Sequence, residues 1–325
     1  MKKIIFLLTA TVCVASFISC DDQVNPKTDF KEVYALNCII KGDTSYQIAT
    51  ISRSYDVSGY NPMTNTTDPF IAGATVKVFY NDSVFVFRDT SVARTNDPRY
   101  TTPIHFYYNT KLRPEYTKPI AIQAVLPDGK VLTAQTQTYS LNLFYFSSAS
   151  TVIPPEGLFS NAIQFSWGYL SQTNTNKAIN YYAPELIISY AKIVNGARVE
   201  MQKKVPTHYS NDQLPLYPPV QANINSMSFE NAAIDKAMAE ISEGDADKQN
   251  YIIEKATFRL FVLDKNLSIY YAAQKTFLDE FSIRFNEPDF TNIDGGLGIF
   301  GTYNVRQMDL KIKDAYILSF GYRTN

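Results

Sequence analysis

Cysteine is nearly absent: three occur in 325 residues, and Cys13 and Cys20 both fall within the first twenty positions. Only Cys38 remains in the body of the chain, so no intramolecular disulfide is expected and stability has to come from packed cores. Histidine is scarcer still, with His105 and His208 far apart in sequence and no cysteine pair to join them, which removes the usual ligands of a zinc site. No Gly-x-Ser-x-Gly elbow occurs, and His105 sits among Ile104, Phe106 and Tyr107 as a strand residue, so no nucleophilic triad is indicated. An excess of one charge is missing too: 30 Lys and Arg face 31 Asp and Glu, which speaks against a nucleic-acid partner. Past the N-terminus, no apolar run is long enough to cross a bilayer as a helix.

What is present begins at the first residue. Met1-Lys2-Lys3 precedes an apolar stretch from Ile4 to Ile18 broken only by Thr9, Thr11 and Ser16, and Ser19-Cys20-Asp21-Asp22 comes next. A charged start, a short apolar segment and a small residue before the cut make an export signal over residues 1–19, and the cysteine at the cut makes it a lipoprotein signal. Cys20 is therefore expected to carry lipid and to hold the mature chain at a membrane, since each buried CH₂ contributes about 0.8 kcal/mol. Residues 20–32 are polar and aperiodic, as a tether should be.

The rest of the chain reads as mostly β. Tyr (23) and Phe (21) are abundant, and with Val, Ile and Thr they favour strands. Short alternating segments over residues 33–150 predict an N-terminal sandwich: Val33 to Lys41 with Tyr46 to Ser52, Ala74 to Tyr80 with Val84 to Arg88, then Ile104 to Tyr108, Pro119 to Leu126 and Lys130 to Thr138. Pro154-Pro155-Glu156-Gly157 reads as a connection, and residues 151–325 as a second sandwich. There Trp167, followed by Tyr181-Tyr182, resembles the second and third strands of Ig/fibronectin-III-like domains. Asn195-Gly196 marks the clearest hairpin, because this pair supplies the positive φ of a type I′ turn. Helices are expected near 228–243 and 267–281, where apolar residues recur at helical spacing. Leu310 to Tyr322 reads as a closing strand.

Few residues suggest chemistry. Gly295, Gly296, Gly298 and Gly301 precede a β pattern rather than a helix, so they are read as structural positions that let a strand approach a packed helix, not as a phosphate loop. Glu280, Glu287, Asp289 and Asp294 have no diagnostic spacing for glycoside hydrolysis. No catalytic residue, metal ligand or cofactor is assigned. Long loops over 54–69 and 208–221 place Tyr60, Tyr209 and Tyr217 where rings either stack on a ligand or pack the loop.

Three segments together, Gln47-Ile48-Ala49-Thr50-Ile51-Ser52-Arg53-Ser54, Ile71-Ala72-Gly73-Ala74-Thr75-Val76-Lys77-Val78 and Asn292-Ile293-Asp294-Gly295-Gly296-Leu297-Gly298-Ile299-Phe300-Gly301, carry a resemblance. With the signal and lipobox they resemble Bacteroidota lipoproteins grouped as a domain of unknown function, whose genes often neighbour TonB-dependent outer-membrane receptors. Asn81-Asp82 stands where that family usually has a glycine-containing hairpin. The resemblance implies two β-rich domains, an outer-membrane location through the Cys20 lipid with either leaflet open, and a TonB-dependent receptor as partner. A non-enzymatic accessory subunit is the expectation that goes with it. A surface adhesin or fimbrial-type subunit and a hydrolase on the secreted side are the alternatives.

Overall fold

The computed structural model describes residues 29–59, 61–94, 99–100, 102–142, 144–156, 161–170, 180–275 and 290–325. The signal, Cys20 and Tyr60 lie outside them. The chain forms two compact units. In the smaller one, Pro62–Thr64 makes a 3-10 turn whose Met63 amide donates to Asn61 Oδ1 at 3.0 Å. The larger unit comprises residues 33–54 and 66–325 and contains every strand and helix named below.

The structure is mostly β, with 51% strand and 11% helix. In the first half the strands are β1 (Tyr34–Lys41), β2 (Gln47–Arg53), β3 (Thr75–Tyr80), β4 (Ser83–Val86), β5 (Arg88–Val92), β6 (Ile104–Asn109), β7 (Pro119–Val125) and β8 (Val131–Gln137). Then come β9 (Phe144–Ser148), β10 (Val152–Ile153), β11 (Ala162–Tyr169), β12 (Tyr181–Val194) and β13 (Ala197–Val205). Next are the short pieces β14 (His208–Tyr209), β15 (Pro215–Leu216) and β16 (Gln221–Ala222), and β17 (Ser226–Glu230) leads into helix α1 (Asn231–Glu240). The chain closes with β18 (Tyr251–Leu263), α2 (Lys265–Lys275), β19 (Leu297–Ile312), α3 (Asp314–Ser319) and β20 (Arg323–Thr324).

One long sheet spans both halves in the order β13-β12-β18-β19-β1-β2-β6-β5, because β1 pairs with β19 in parallel, Cys38 opposite Phe300. Two smaller sheets, β4-β3-β7-β8 and β17-β11-β9, pack on it. The first encloses Val76, Val78, Ile120 and Ile122 against Leu36, Ile40, Ile51 and Phe300. Cys38 is buried here as a free thiol. The second encloses Phe165, Trp167 and Phe229 against Leu186, Phe258 and Leu260, with the Phe165 and Phe258 rings stacked at 3.8 Å. Phe300, Leu310 and Ile312 all serve these cores. They share the even register of β19, so both cores lie on one face of the long sheet.

Between the cores the segment leaving β8 crosses β19 and is held in register by side chains. Thr302 Oγ1 donates to the Gln137 carbonyl at 2.7 Å, Asn304 Nδ2 to the Tyr139 carbonyl at 2.6 Å and an Arg306 guanidinium nitrogen to the Leu141 carbonyl at 3.2 Å. A period-2 strand thus matches alternate carbonyls of an extended segment.

The Asn195-Gly196 hairpin forms as expected, with φ of 52° and 80° at its two turn residues. Elsewhere the boundaries shift. Ser228 to Glu230 belong to β17 rather than to the helix, because Phe229 enters the second core and pairs with Ile163. The second helix begins at Lys265, and 276–281 lie outside the described residues. The expected closing strand ends at Ile312, and Asp314–Ser319 is helical. Asp314 suits the positive N-terminal turn, and Gly321 at φ 85° supplies the left-handed residue that ends a helix.

Candidate functional site

The odd-register face of the long sheet, opposite the two main cores, holds a cleft of about 550 Å³, within the size range of small-molecule sites. Directly paired residues share a face, so the ladder sets its floor in rows. Tyr181, Leu263 and Tyr303 make the row nearest α2, Ala183, Phe261 and Val305 the next, and Glu185, Arg259 and Gln307 the third; of these Leu263, Tyr303, Ala183, Phe261 and Glu185 line the cleft and the rest adjoin them in the ladder. The first two rows are apolar or aromatic and the third is ionic.

One wall is α2. It starts where β18 ends, because Asp264 caps it: the Leu267 amide donates to Asp264 Oδ1 at 2.6 Å. The same carboxylate accepts from the Thr302 amide at 2.8 Å and from the Thr136 hydroxyl of β8, so it ties the helix to two sheets while fully buried. Burial pushes its carboxyl up to about 6 against the opposing pull of these three donors. α2 then presents Tyr271 to the cleft. The hydroxyl of Tyr271 is shifted upward chiefly by burial, with Tyr303, Tyr270 and the Glu185 carboxylate adding to the effect.

The other wall is the strap carrying β15 and β16. It is pinned to β12 by pairing of Tyr181 with Ala222 and Tyr182 with Gln221. Its Pro215, Tyr217, Pro218 and Pro219 face the cleft. Three prolines fix φ and lack amide donors, which suits a short exposed edge that few ladder bonds hold.

At the ionic row Glu185 holds two cations. Lys204 Nζ lies 2.6 Å from one of its oxygens and a terminal guanidinium nitrogen of Arg259 3.1 Å from the other. The Arg259 guanidinium also lies over Phe261, 5.9 Å from the ring centroid. Its Nε is buried and has no hydrogen-bond acceptor among the described residues.

Of the tyrosines singled out in the sequence, Tyr217 lines the cleft and is 42% exposed. Tyr209 serves packing instead: its hydroxyl donates to Glu240 at 3.1 Å and Lys236 Nζ sits 3.9 Å from its ring centroid. Tyr60 lies outside the described residues. Of the four glycines only Gly301 lies against α2, and the other three lie against strands. An added Cβ at Gly301 would meet the Leu267 Cβ of α2 at 3.0 Å, and one at Gly298 the Leu36 carbonyl of β1 at 2.1 Å. Gly295 and Gly296 come close to the backbones of Val131 and Tyr34 in the same way. Glu185, Lys204 and Arg259 escaped sequence reasoning, because only the pairing of β12 with β13 and β18 brings them together. The signal that would have found them is their place on consecutive paired strands.

His105 lies on β6, with Nδ1 3.6 Å from Asp89, and His208 on β14. Asp294 bridges to Thr133 through its backbone, whereas Glu280, Glu287 and Asp289 lie outside the described residues. Among the described residues no group of three or more acidic, histidine or cysteine side chains is placed to hold a metal ion, and no helix is long and apolar enough to cross a membrane. No family model matches the chain, and no curated protein matches it.

Proposed function

We propose that this chain is an exported lipoprotein, anchored at the outer membrane through lipid on Cys20, that works as a non-catalytic binding subunit beside a TonB-dependent receptor. The observation that carries the binding role is the cleft itself: a concave, mostly apolar and aromatic space whose few charged groups gather at one end, the general form of a recognition site. The lipobox at Ser19-Cys20 and the resemblance of Asn292 to Gly301 support the address and the receptor partner. An Ig/fibronectin-III-like character for the two sheet-on-sheet halves belongs to the same reading.

Solubilisation of native membranes in mild detergent, followed by capture of this chain, tests the partner. A large β-barrel should co-purify in near-stoichiometric amount, and its absence would count against the receptor reading. A structural adhesin is the second reading, favoured by β13, which ends the long sheet with residues 197–202 exposed. Arg198, Glu200, Lys203 and Lys204 on that strand are the kind of charges that guard an open edge against pairing, which counts against this reading.

A further inference from the structure

We infer that the cleft takes a small amphipathic anion, with an apolar body lying on the Phe261 and Tyr303 rows and a single carboxylate or sulfonate at the Lys204 end, beside the Glu185–Arg259 pair. The inference rests on the reading of the cleft as a binding site and adds the chemical class of its ligand.

Three observations set that class. The lining changes character along the strands, from Leu263 and Tyr303 through Ala183 and Phe261 to Glu185 and Lys204, so a ligand with one polar end has only one favourable orientation. At the polar end one carboxylate neutralises only one of two cations, which leaves the cluster with a net positive charge. Lys204 and Glu185 line this end of the cleft, and Arg259, which does not line it, adds its positive charge through the ion pair with Glu185 rather than by contact with the ligand. A cationic ligand would meet two like charges and gain only a share of a carboxylate already paired twice. Ala183 leaves the middle of the floor low, and Tyr217 stands over the same cleft on the strap, so a flat ring is the body that the walls admit most readily.

The full-length protein in maltoside micelles, titrated calorimetrically with 2-naphthoate, 2-naphthamide and 2-naphthylmethylammonium, tests this. Ala183→Phe, which fills the floor, serves as the reference that removes partition into micelles. Naphthoate should bind saturably and about tenfold or more tighter than the ammonium compound, as expected for one close charge pair. Naphthamide should fall between them. Arg259→Met brings the cluster to neutrality and should reduce the preference for naphthoate to about twofold. Lys204→Met, at a side chain 59% exposed, does the same with little risk to folding and decides the matter if Arg259→Met is unstable. Equal or tighter binding of the ammonium compound, or naphthoate heats identical in Ala183→Phe, would overturn the assignment. Co-purification of a barrel is a separate readout, so a protein that binds naphthoate without a receptor fails only the partner reading, and the reverse result fails only the ligand class.

Discussion

Asn304 occupies the space that Gly42 leaves: a Cβ on Gly42 would stand 1.9 Å from Asn304 Oδ1. Asn304 is 8% exposed and its amide donates to the Tyr139 carbonyl at 2.6 Å, so it has no vacant direction in which to move without breaking that bond. Gly42→Ala should therefore cost about 1–3 kcal/mol in urea unfolding, the range for a buried polar group left without its partner. In an Asn304→Ala background the same substitution should cost almost nothing. Additive penalties would show that the two residues do not compete for one space.

Gly298 and Gly196 both have positive φ, at 111° and 80°, but their surroundings differ. A Cβ at Gly298 meets the Leu36 carbonyl at 2.1 Å, within the ladder that joins β19 to β1, whereas one at Gly196 meets nothing within 4 Å. Gly196→Ala should cost about 1 kcal/mol from its backbone conformation alone. Gly298→Ala should cost roughly 3 kcal/mol or more, because the parallel pairing itself must shift. Thermal unfolding of the two variants side by side checks the difference.

Asp264 should make stability respond to pH in the opposite sense to the surface ion pairs. Its folded value of about 6 lies above the ordinary 3.8, so the folded state holds the proton more tightly. The stabilisation from that proton is fully present below the ordinary value and is lost as pH rises through about 6. It amounts to at most about 3 kcal/mol, since each pH unit of separation is worth about 1.4 kcal/mol. Asp264→Asn removes the titration and sets an amide donor against a backbone amide, so it destabilises throughout. Its penalty should be larger at pH 4 than at pH 7, as read by urea unfolding at the two values. A penalty that grew with pH would mean that the three donors favour the carboxylate over the acid. Asp309, whose bonds from Lys255 and Thr257 hold its carboxyl below the usual range, behaves conversely: its contribution is present above the ordinary value and lost on acidification.

Tyr209 and Tyr217 are equivalent candidates in the sequence and should separate cleanly. Tyr209→Ala removes the bond to Glu240 and the ring beside Lys236, and should cost about 1–3 kcal/mol of stability with little effect on naphthoate binding. Tyr217→Ala, at an exposed ring on the strap, should stay within about 0.5 kcal/mol of the parent while weakening naphthoate severalfold. Chemical denaturation and the calorimetric titration together read both effects.

The contrast between local and distant pairing marks where sequence information ends. Asn195-Gly196 is readable because a type I′ turn is written in two adjacent residues, and the alternation of Val76, Val78 and Tyr80 along β3 is readable because period 2 is local. The pairing of β1 with β19 is not readable, since Cys38 and Phe300 lie far apart in the chain and nothing in either strand names its partner. Leu310 to Tyr322 alternates well enough to pass for a strand, and the marks of the helix are Asp314 in its first turn, Gly321 at positive φ and the contact of Tyr316 with Phe320, 5.1 Å between rings. The ionic row of the cleft is hidden for the same reason as the long sheet: Glu185, Lys204 and Arg259 are neighbours through register, not through sequence.

The address of the protein rests on one side chain, and its most direct test is the behaviour of Cys20→Ala beside the parent in cells fed labelled palmitate, with membrane fractionation afterwards. The account predicts label in the parent, none in the variant, and release of the variant from the membrane pellet. A variant that stays in the pellet, or a parent that never takes up label, would contradict it.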